Sequence, residues 1–333
     1  MKAIVYKNYG QSDQLHMEDV QKPVPAEKEV LVKVHAVSVN YADWHMLTGT
    51  PFLARMAFGL FRPKHNILGA DIAGTVEAVG RNATTYKPGD KVYGDLGALR
   101  FGGFAEYVCA PESLIAPMPA NLSFTEAAAL PMAAVTALQA LRDGGNVQPG
   151  QKVLIHGAAG GVGTFAVQIA KHMDAEVTAL CGTRNVEMVR SLGADHVIDY
   201  TREDFADGNT KYDVILGING NRSIYDYRKA LAPQGIYLMA GGSDRQIFEA
   251  MLFGGFLSGR NGKKLGIFSA SNNHADLMVI NEWVEAGKIK PVIDRQFSLE
   301  QTPEAMRIIG TGHARAKLVV NVIPDNKGIG GNG

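Results

Sequence analysis

Cysteine is nearly absent. Cys109 and Cys181 are the only two in 333 residues, which rules out a disulfide framework and points to a reducing compartment. Neither sign of charge is in excess, with 33 Lys plus Arg against 33 Asp plus Glu. That balance argues against a nucleic-acid surface or a strongly polyanionic substrate. No uninterrupted apolar run reaches the length of a membrane span. The opening Lys2-Ala3-Ile4-Val5-Tyr6 reads directly as a strand and leaves no room for a signal peptide, so a cytoplasmic protein is expected. The nine histidines are scattered, none at the spacing of a helical pair or another short metal motif, and no metal is expected.

What the chain has in plenty is glycine, 38 residues of it, and the organising stretch is built on it. Residues 153–155 form a short apolar run of the kind that makes a buried strand. Gly157-Ala158-Ala159-Gly160-Gly161-Val162-Gly163 follows, and then Val162, Phe165, Ala166, Ile169 and Ala170 recur at helical spacing. Strand, glycine turn and helix together are the setting in which backbone N–H groups at a helix N-terminus hold a pyrophosphate. The motif G-x-G-x-x-G is met except at its first position, where Ala158 stands.

A second absence bears on the nucleotide. The next strand, residues 176–180, runs into Cys181-Gly182-Thr183-Arg184-Asn185, where an NAD site carries an acid for the ribose 2′-hydroxyl. No acid occupies that stretch; the first is Glu187, inside the following helix. Thr183 and the fixed cation Arg184 stand there instead, and a guanidinium binds a phosphate bidentately where a carboxylate would repel it. NADPH is therefore expected over NADH. Tyr200, at the end of the following strand, is placed to add a phenol hydroxyl to the same phosphate.

The length favours two domains. Up to about residue 122 the signals are short strands and turns, a β-rich unit. Pro117 and Pro119 mark a boundary, and Ser123-Phe124-Thr125-Glu126 opens a helix with a capping-box pattern. From residue 152 strands alternate with helices: 153–155, 177–180, 197–200, 214–218, 235–240 and 265–268. Six such units describe a doubly wound parallel sheet, an α/β fold. The strand, helix and strand of residues 297–322 exceed what that sheet needs and are expected to complete the first domain. The expected division is 1–123 with 270–333, and 124–269. Residues 325–333 read as a frayed tail.

Taken in order, Val39-Asn40-Tyr41-Ala42-Asp43, residues 68–76, 87–94 and 103–108, Thr136-Ala137, the glycine turn and Leu192-Gly193-Ala194-Asp195 resemble the medium-chain dehydrogenase/reductase superfamily. Within it, the chain is similar to the zinc-free quinone oxidoreductase, or zeta-crystallin-like, group. The resemblance implies a GroES-like catalytic domain, a Rossmann NADP(H)-binding domain with the active site in the cleft between them, and a homodimer pairing the edge strand 265–268. Zinc enzymes of the superfamily carry cysteine at the position of Asn40 and histidine at that of Ala70, so those ligand positions are vacant here.

Without a Lewis acid, hydride delivery suits an acceptor that is already electron-poor, a quinone or an enal or enone. The resemblance places Asn40, Tyr41 and His45 beside the nicotinamide as candidate hydrogen-bond or proton donors. It places the Ala159, Gly160, Gly161 and Val162 backbone at the pyrophosphate, and Thr136, Asn219, Ala240, Gly241, Phe268 and Ser269 along the nicotinamide. Lys317 holds the position where relatives set a basic residue against the pyrophosphate. Two apolar stretches, 51–61 and 248–257, suit the walls of a hydrophobic acceptor pocket, an interface, or ordinary core. Two readings compete with the reductase: an alcohol dehydrogenase-like enzyme that has lost zinc, and a nucleotide-binding, crystallin-like protein with little turnover.

Overall fold

A computed structural model describes residues 1–50, 52, 55–97, 100–220, 222–242, 249, 258, 259 and 262–323. In chain order the first elements are β1 (Lys2–Val5), β2 (His16–Asp19), β3 (Glu29–Val39), α1 (Tyr41–Thr48) and α2 (Arg55–Phe58). Next come β4 (Asp71–Val79), β5 (Lys91–Asp95), β6 (Tyr107–Pro111), β7 (Ile115–Pro117), α3 (Phe124–Ala128) and α4 (Pro131–Gln139). The alternating stretch is β8 (Lys152–His156), α5 (Gly161–His172), β9 (Glu176–Cys181), α6 (Val186–Ser191), β10 (His196–Asp199), β11 (Tyr212–Gly217), α7 (Ile224–Ala230), β12 (Leu231–Met239) and β13 (Lys264–Ile267). The described chain closes with α8 (His274–Glu285), β14 (Ile293–Ser298), α9 (Thr302–Gly310) and β15 (Lys317–Asn321).

The chain divides into two compact units, Met1–Met132 with Asn272–Glu285 and Pro291–Gly333, and Ala133–Ser271 with Ala286–Lys290. The division falls later than the expected one, because α3 belongs to the first unit. Its capping box is present, with Glu126 N–H donating to Ser123 Oγ and Ser123 N–H donating to Glu126. Thr125 of that helix hydrogen-bonds Asn321 at the end of β15.

The first unit is organised around β3, an eleven-residue strand with most of its residues buried. A strand that exposes so few side chains must be covered on both faces, which its valine-rich sequence suits. It pairs antiparallel with β4, β6 and β15, so residues at the two ends of the chain share one sheet. Among the described residues that sheet runs β14-β15-β3-β4-β5-β7, with β6 on β3. Val32, Val34, Leu47, Leu68, Ile72, Phe104 and Leu318 pack its core. Burial of each such side chain contributes about 1.5–3 kcal/mol.

The second unit carries a parallel sheet in the order β10-β9-β8-β11-β12-β13. The order reverses beside β8, where such sheets bind ligands at the C-terminal ends of their strands. β8, at the centre of the sheet, is buried along all but its first residue, which matches its continuous apolar sequence. β13 lies at the sheet edge.

Of the apolar stretch 51–61, Phe52, Met56 and Phe61 are exposed, so these three are not core. The stretch 248–257 lies outside the described residues except for Glu249, and residues 325–333 lie wholly outside them.

Candidate active site

In the first unit, β3 ends at Val39 and the chain turns into α1 at Asn40. Asp43 is the third residue of that helix. Its Oδ2 accepts the Asn40 backbone N–H at 2.8 Å and its Oδ1 accepts the Gly69 N–H at 2.9 Å. An acid three residues past the N-cap satisfies a donor that the first turn otherwise leaves orphaned.

The Asn40 side chain is used up inside the protein. Its Oδ1 accepts from Lys317 Nζ at 2.7 Å, and its Nδ2 donates to Asp71 Oδ2 at 2.9 Å. Asn40 was expected to offer a donor to substrate. Both ends of its amide are committed instead, and it reads as a group that holds its neighbours. Lys317 is corrected with it. A basic group turned toward a pyrophosphate was expected, but β15 is paired on both sides and Lys317 is 3 % exposed, with Asp71 Oδ2 at 3.5 Å.

Asp71 collects further donors, Ser38 Oγ at 3.0 Å and the Met132 N–H at 3.0 Å. Asp95 lies directly across from it in the β4–β5 register. Asp95 Oδ1 accepts the Gly97 N–H at 2.7 Å. Burial pushes the carboxyl of Asp43 up to about 7, with Asp71 adding to the shift and the two backbone donors opposing it. Burial likewise pushes Asp95 up to about 7, helped by the charge of Asp71. Asp71 is raised and Lys317 lowered by burial, and each opposes the other's shift.

Tyr41 and His45 come together on α1, one turn apart. Their rings meet edge to face at 4.6 Å, with Tyr41 exposed, and His45 Nδ1 lies 3.4 Å from Thr50 Oγ1. The expected trio is therefore contiguous, with Tyr41 exposed, His45 half-buried and Asn40 buried.

In the second unit the expected nucleotide residues fall at strand ends. The glycine turn follows β8, Asn219 follows β11, Ala240 and Gly241 follow β12, and Phe268 and Ser269 follow β13. Adjacent backbones tie these ends together, with Ala240 N–H donating to Gly217 O at 2.8 Å and Phe268 N–H to Met239 O at 2.8 Å. Thr136 sits half-buried on α4.

The turn also explains Ala158. Gly157 takes the left-handed conformation, φ +89°, so the residue after it needs none of glycine's freedom. Gly163 does need to be glycine, since a Cβ there would stand 2.2 Å from Gly157 O. Gly160 is the N-cap of α5 and has no side chain to occupy the first N–H groups. This cradle fits the pyrophosphate of a dinucleotide.

At the end of β9, Thr183 and Arg184 are exposed. Tyr200 is exposed too, and its hydroxyl lies 2.9 Å from where a Gly182 Cβ would be. The structure adds one acid to this group, Asp199 at the end of β10. Thr183 Oγ1 donates to its Oδ2 at 2.6 Å and Thr201 Oγ1 to its Oδ1 at 2.8 Å. Those donors hold its carboxyl below the usual range. This acid is delivered by the neighbouring strand, so the residues along β9 give no sign of it.

With this geometry in hand, the chain matches the alcohol dehydrogenase GroES-like domain over residues 26–120 and the zinc-binding dehydrogenase model over residues 192–320. It is 37 % identical to the 2-methylene-furan-3-one reductase of Solanum lycopersicum, over 97 % of this chain and 80 % of that one. It is 35 % identical to a chloroplastic quinone oxidoreductase of Triphysaria versicolor, over 96 % and 98 %. The chain belongs to the medium-chain dehydrogenase/reductase superfamily. Within it, it falls in the quinone oxidoreductase-like group and is an oxidoreductase. The quinone oxidoreductase of Coxiella burnetii superposes with a TM-score of 0.86 at 31 % identity, covering 97 % of this chain and 99 % of that one.

One matched family description names zinc. Among the described residues of this superfamily member, no three His, Cys, Asp or Glu side chains converge as a metal ion requires. Among the described residues Asp71 is already held by Lys317, Asn40, Ser38 and Met132. Among the described residues no helix is long and apolar enough to cross a membrane.

Proposed function

We infer that this oxidoreductase reduces quinones or activated alkenes, enals and enones, with NADPH and without zinc. The observation that carries the reading is the company kept by Arg184 at the end of β9: Thr183, the Tyr200 hydroxyl and an acid whose two oxygens already accept hydroxyl donors. A carboxylate so occupied is not offered to a ribose diol, while the guanidinium and phenol suit a 2′-phosphate. Bound nicotinamide supplies the hydride.

The Gly160–Val162 backbone would hold the pyrophosphate, and the strand ends at Asn219, Ala240–Gly241 and Phe268–Ser269 would orient the nicotinamide, with Thr136 alongside. Tyr41 and His45 would bound the acceptor, donating toward the oxygen on which charge collects. Support for this acceptor class comes from relatives named as reductases of a methylene-furanone, a quinone and, in Arabidopsis thaliana, alkenals and alkenones with NADPH.

The test is steady-state oxidation of NADPH and NADH against quinones and enones by native protein and Arg184→Ala. The expected outcome is a rise of at least about tenfold in KM for NADPH with little change for NADH, roughly the loss of one charge-assisted contact. An equal rise for both nucleotides would remove Arg184 from the phosphate.

A further inference from the structure

A phosphate on the ribose 2′-oxygen carries about two negative charges at neutral pH. In the subsite at the end of β9 a single guanidinium, that of Arg184, faces it, and the carboxylate of Asp199 stands in the same group. One cation beside two anions leaves such a site short of positive charge. The turn that leaves β10 carries a second cation, Arg202, and the fold of this one unit brings it to the end of β9.

Parallel pairing does so. Asp199 lies opposite Cys181 in the β9–β10 register, and the Tyr200 N–H donates to Cys181 O at 3.1 Å. The chain then folds back, with the Arg202 N–H donating to Asp199 O at 2.9 Å. Thr201 Oγ1 comes within 3.0 Å of Thr183 Oγ1, so the turns after the two strands meet side chain to side chain. One atom is common to both turns. Thr183 Oγ1 donates to Asp199 Oδ2 at 2.6 Å, and Arg202 Nε lies 3.5 Å from that same oxygen.

The two ends of this ion pair differ in exposure. The Asp199 side chain is 10 % exposed and is fixed by its hydroxyl donors, whereas that of Arg202 is 75 % exposed. The guanidinium approaches Asp199 through Nε, and its two terminal nitrogens hydrogen-bond no other described residue. Those two nitrogens form the fork that takes a phosphate bidentately. An exposed pair of this kind contributes little to stability, so a ligand can draw on the fork at small cost to the fold.

We propose that Arg202 is a second cation for the 2′-phosphate and a determinant of the preference for NADPH, with Asp199 positioning it; the assignment rests on the NADPH reading above. Arg184 reaches the phosphate from the turn after β9 and Arg202 from the turn after β10. Asp199 ties Thr183 to Arg202, and the guanidinium in turn offsets a carboxylate charge that would otherwise repel the phosphate. A ribose without the phosphate presents no anion to the fork, so NADH gains little from Arg202.

The experiment is calorimetric titration of native protein, Arg202→Ala and Arg202→Gln with 2′,5′-ADP, 5′-AMP, NADPH and NADH, with Arg184→Ala as the reference. Because 2′,5′-ADP lacks the nicotinamide, it reads the phosphate subsite without turnover. Both Arg202 variants should raise the Kd for 2′,5′-ADP and NADPH by about five- to tenfold, the loss of one charge-assisted contact, and leave 5′-AMP and NADH nearly unchanged. Undiminished binding of 2′,5′-ADP by both variants would overturn the proposal. An equal loss for all four ligands would do the same, by making Arg202 a holder of the turn. Loss with Arg184→Ala alone would keep the NADPH reading and refute the second cation. Native protein that binds 2′,5′-ADP no more tightly than 5′-AMP would instead remove the NADPH reading, and this proposal with it.

Discussion

In the second unit, the groups that would meet a ligand are backbone amides and exposed side chains gathered along one edge of a parallel sheet. In the first, the candidate donors Tyr41 and His45 sit beside a buried cluster of side chains carried from far apart in the chain: Asn40 and Asp43 at a helix start, Asp71 and Asp95 on facing strands, and Lys317 near the C-terminus. A backbone cradle is specified locally, by which residues lack a Cβ. A buried ionic group is specified only when the sheet brings β15 against β3, and each member depends on the others for its charge state.

The largest expected contrast between the two units is in stability. Lys317→Met leaves Asp71 without its cation and should cost about 3–5 kcal/mol, the usual range for breaking a buried pair. Denaturant unfolding measures it, and the double variant with Asp71→Asn should recover a good part of the loss. A small cost for the single variant would mean that the cluster is already neutral.

Gly163→Ala is the corresponding insult to the cradle. The new Cβ would meet Gly157 O at 2.2 Å, so a cost of about 1–3 kcal/mol should come with weakened NADPH binding, followed by nucleotide fluorescence.

Acidity should separate the units by sign. In the first, Asp43 and Asp95 have folded values raised to about 7, above those of the unfolded chain, so the folded state binds more protons between about pH 4 and 7. Stability from them is present at acid pH and is lost as pH rises through about 7. In the second, Asp199 and Asp195 are lowered, by Thr183 and by Lys171 respectively, so their contribution holds at neutral pH and is lost on acidification. Amide hydrogen exchange should show protection falling around β5 and α1 with rising pH, once corrected for the intrinsic rate, and around β10 with falling pH. Asp95→Asn should flatten the first trend only.

The smallest effect expected is that of Ala158→Gly. Gly157 already makes the turn, so restoring the motif glycine should leave the KM for NADPH nearly unchanged.

The same contrast explains what could be read in advance. The strand, turn and helix of residues 153–170 are contiguous, and the six strands of the second sheet repeat one pattern, so fold and cradle were legible. Thr183, Arg184 and Tyr200 followed from strand ends. Asp199 did not, because its neighbour across the sheet is sixteen residues away in sequence. The role of Lys317 was misread, since its partners lie 277 and 246 residues distant. Asp71 and Asp95 did leave a signal, a charge at strand positions where the flanking apolar residues predict burial. A buried charge implies a partner without naming it.

The proposed nicotinamide-dependent reduction is carried out by these side chains without a metal. Its most direct test is the rate of NADPH oxidation with an enone and a quinone by chelator-treated native protein. Turnover that persists after treatment and is not raised by added zinc is the predicted result. Turnover abolished by the chelator and restored by stoichiometric zinc would contradict it.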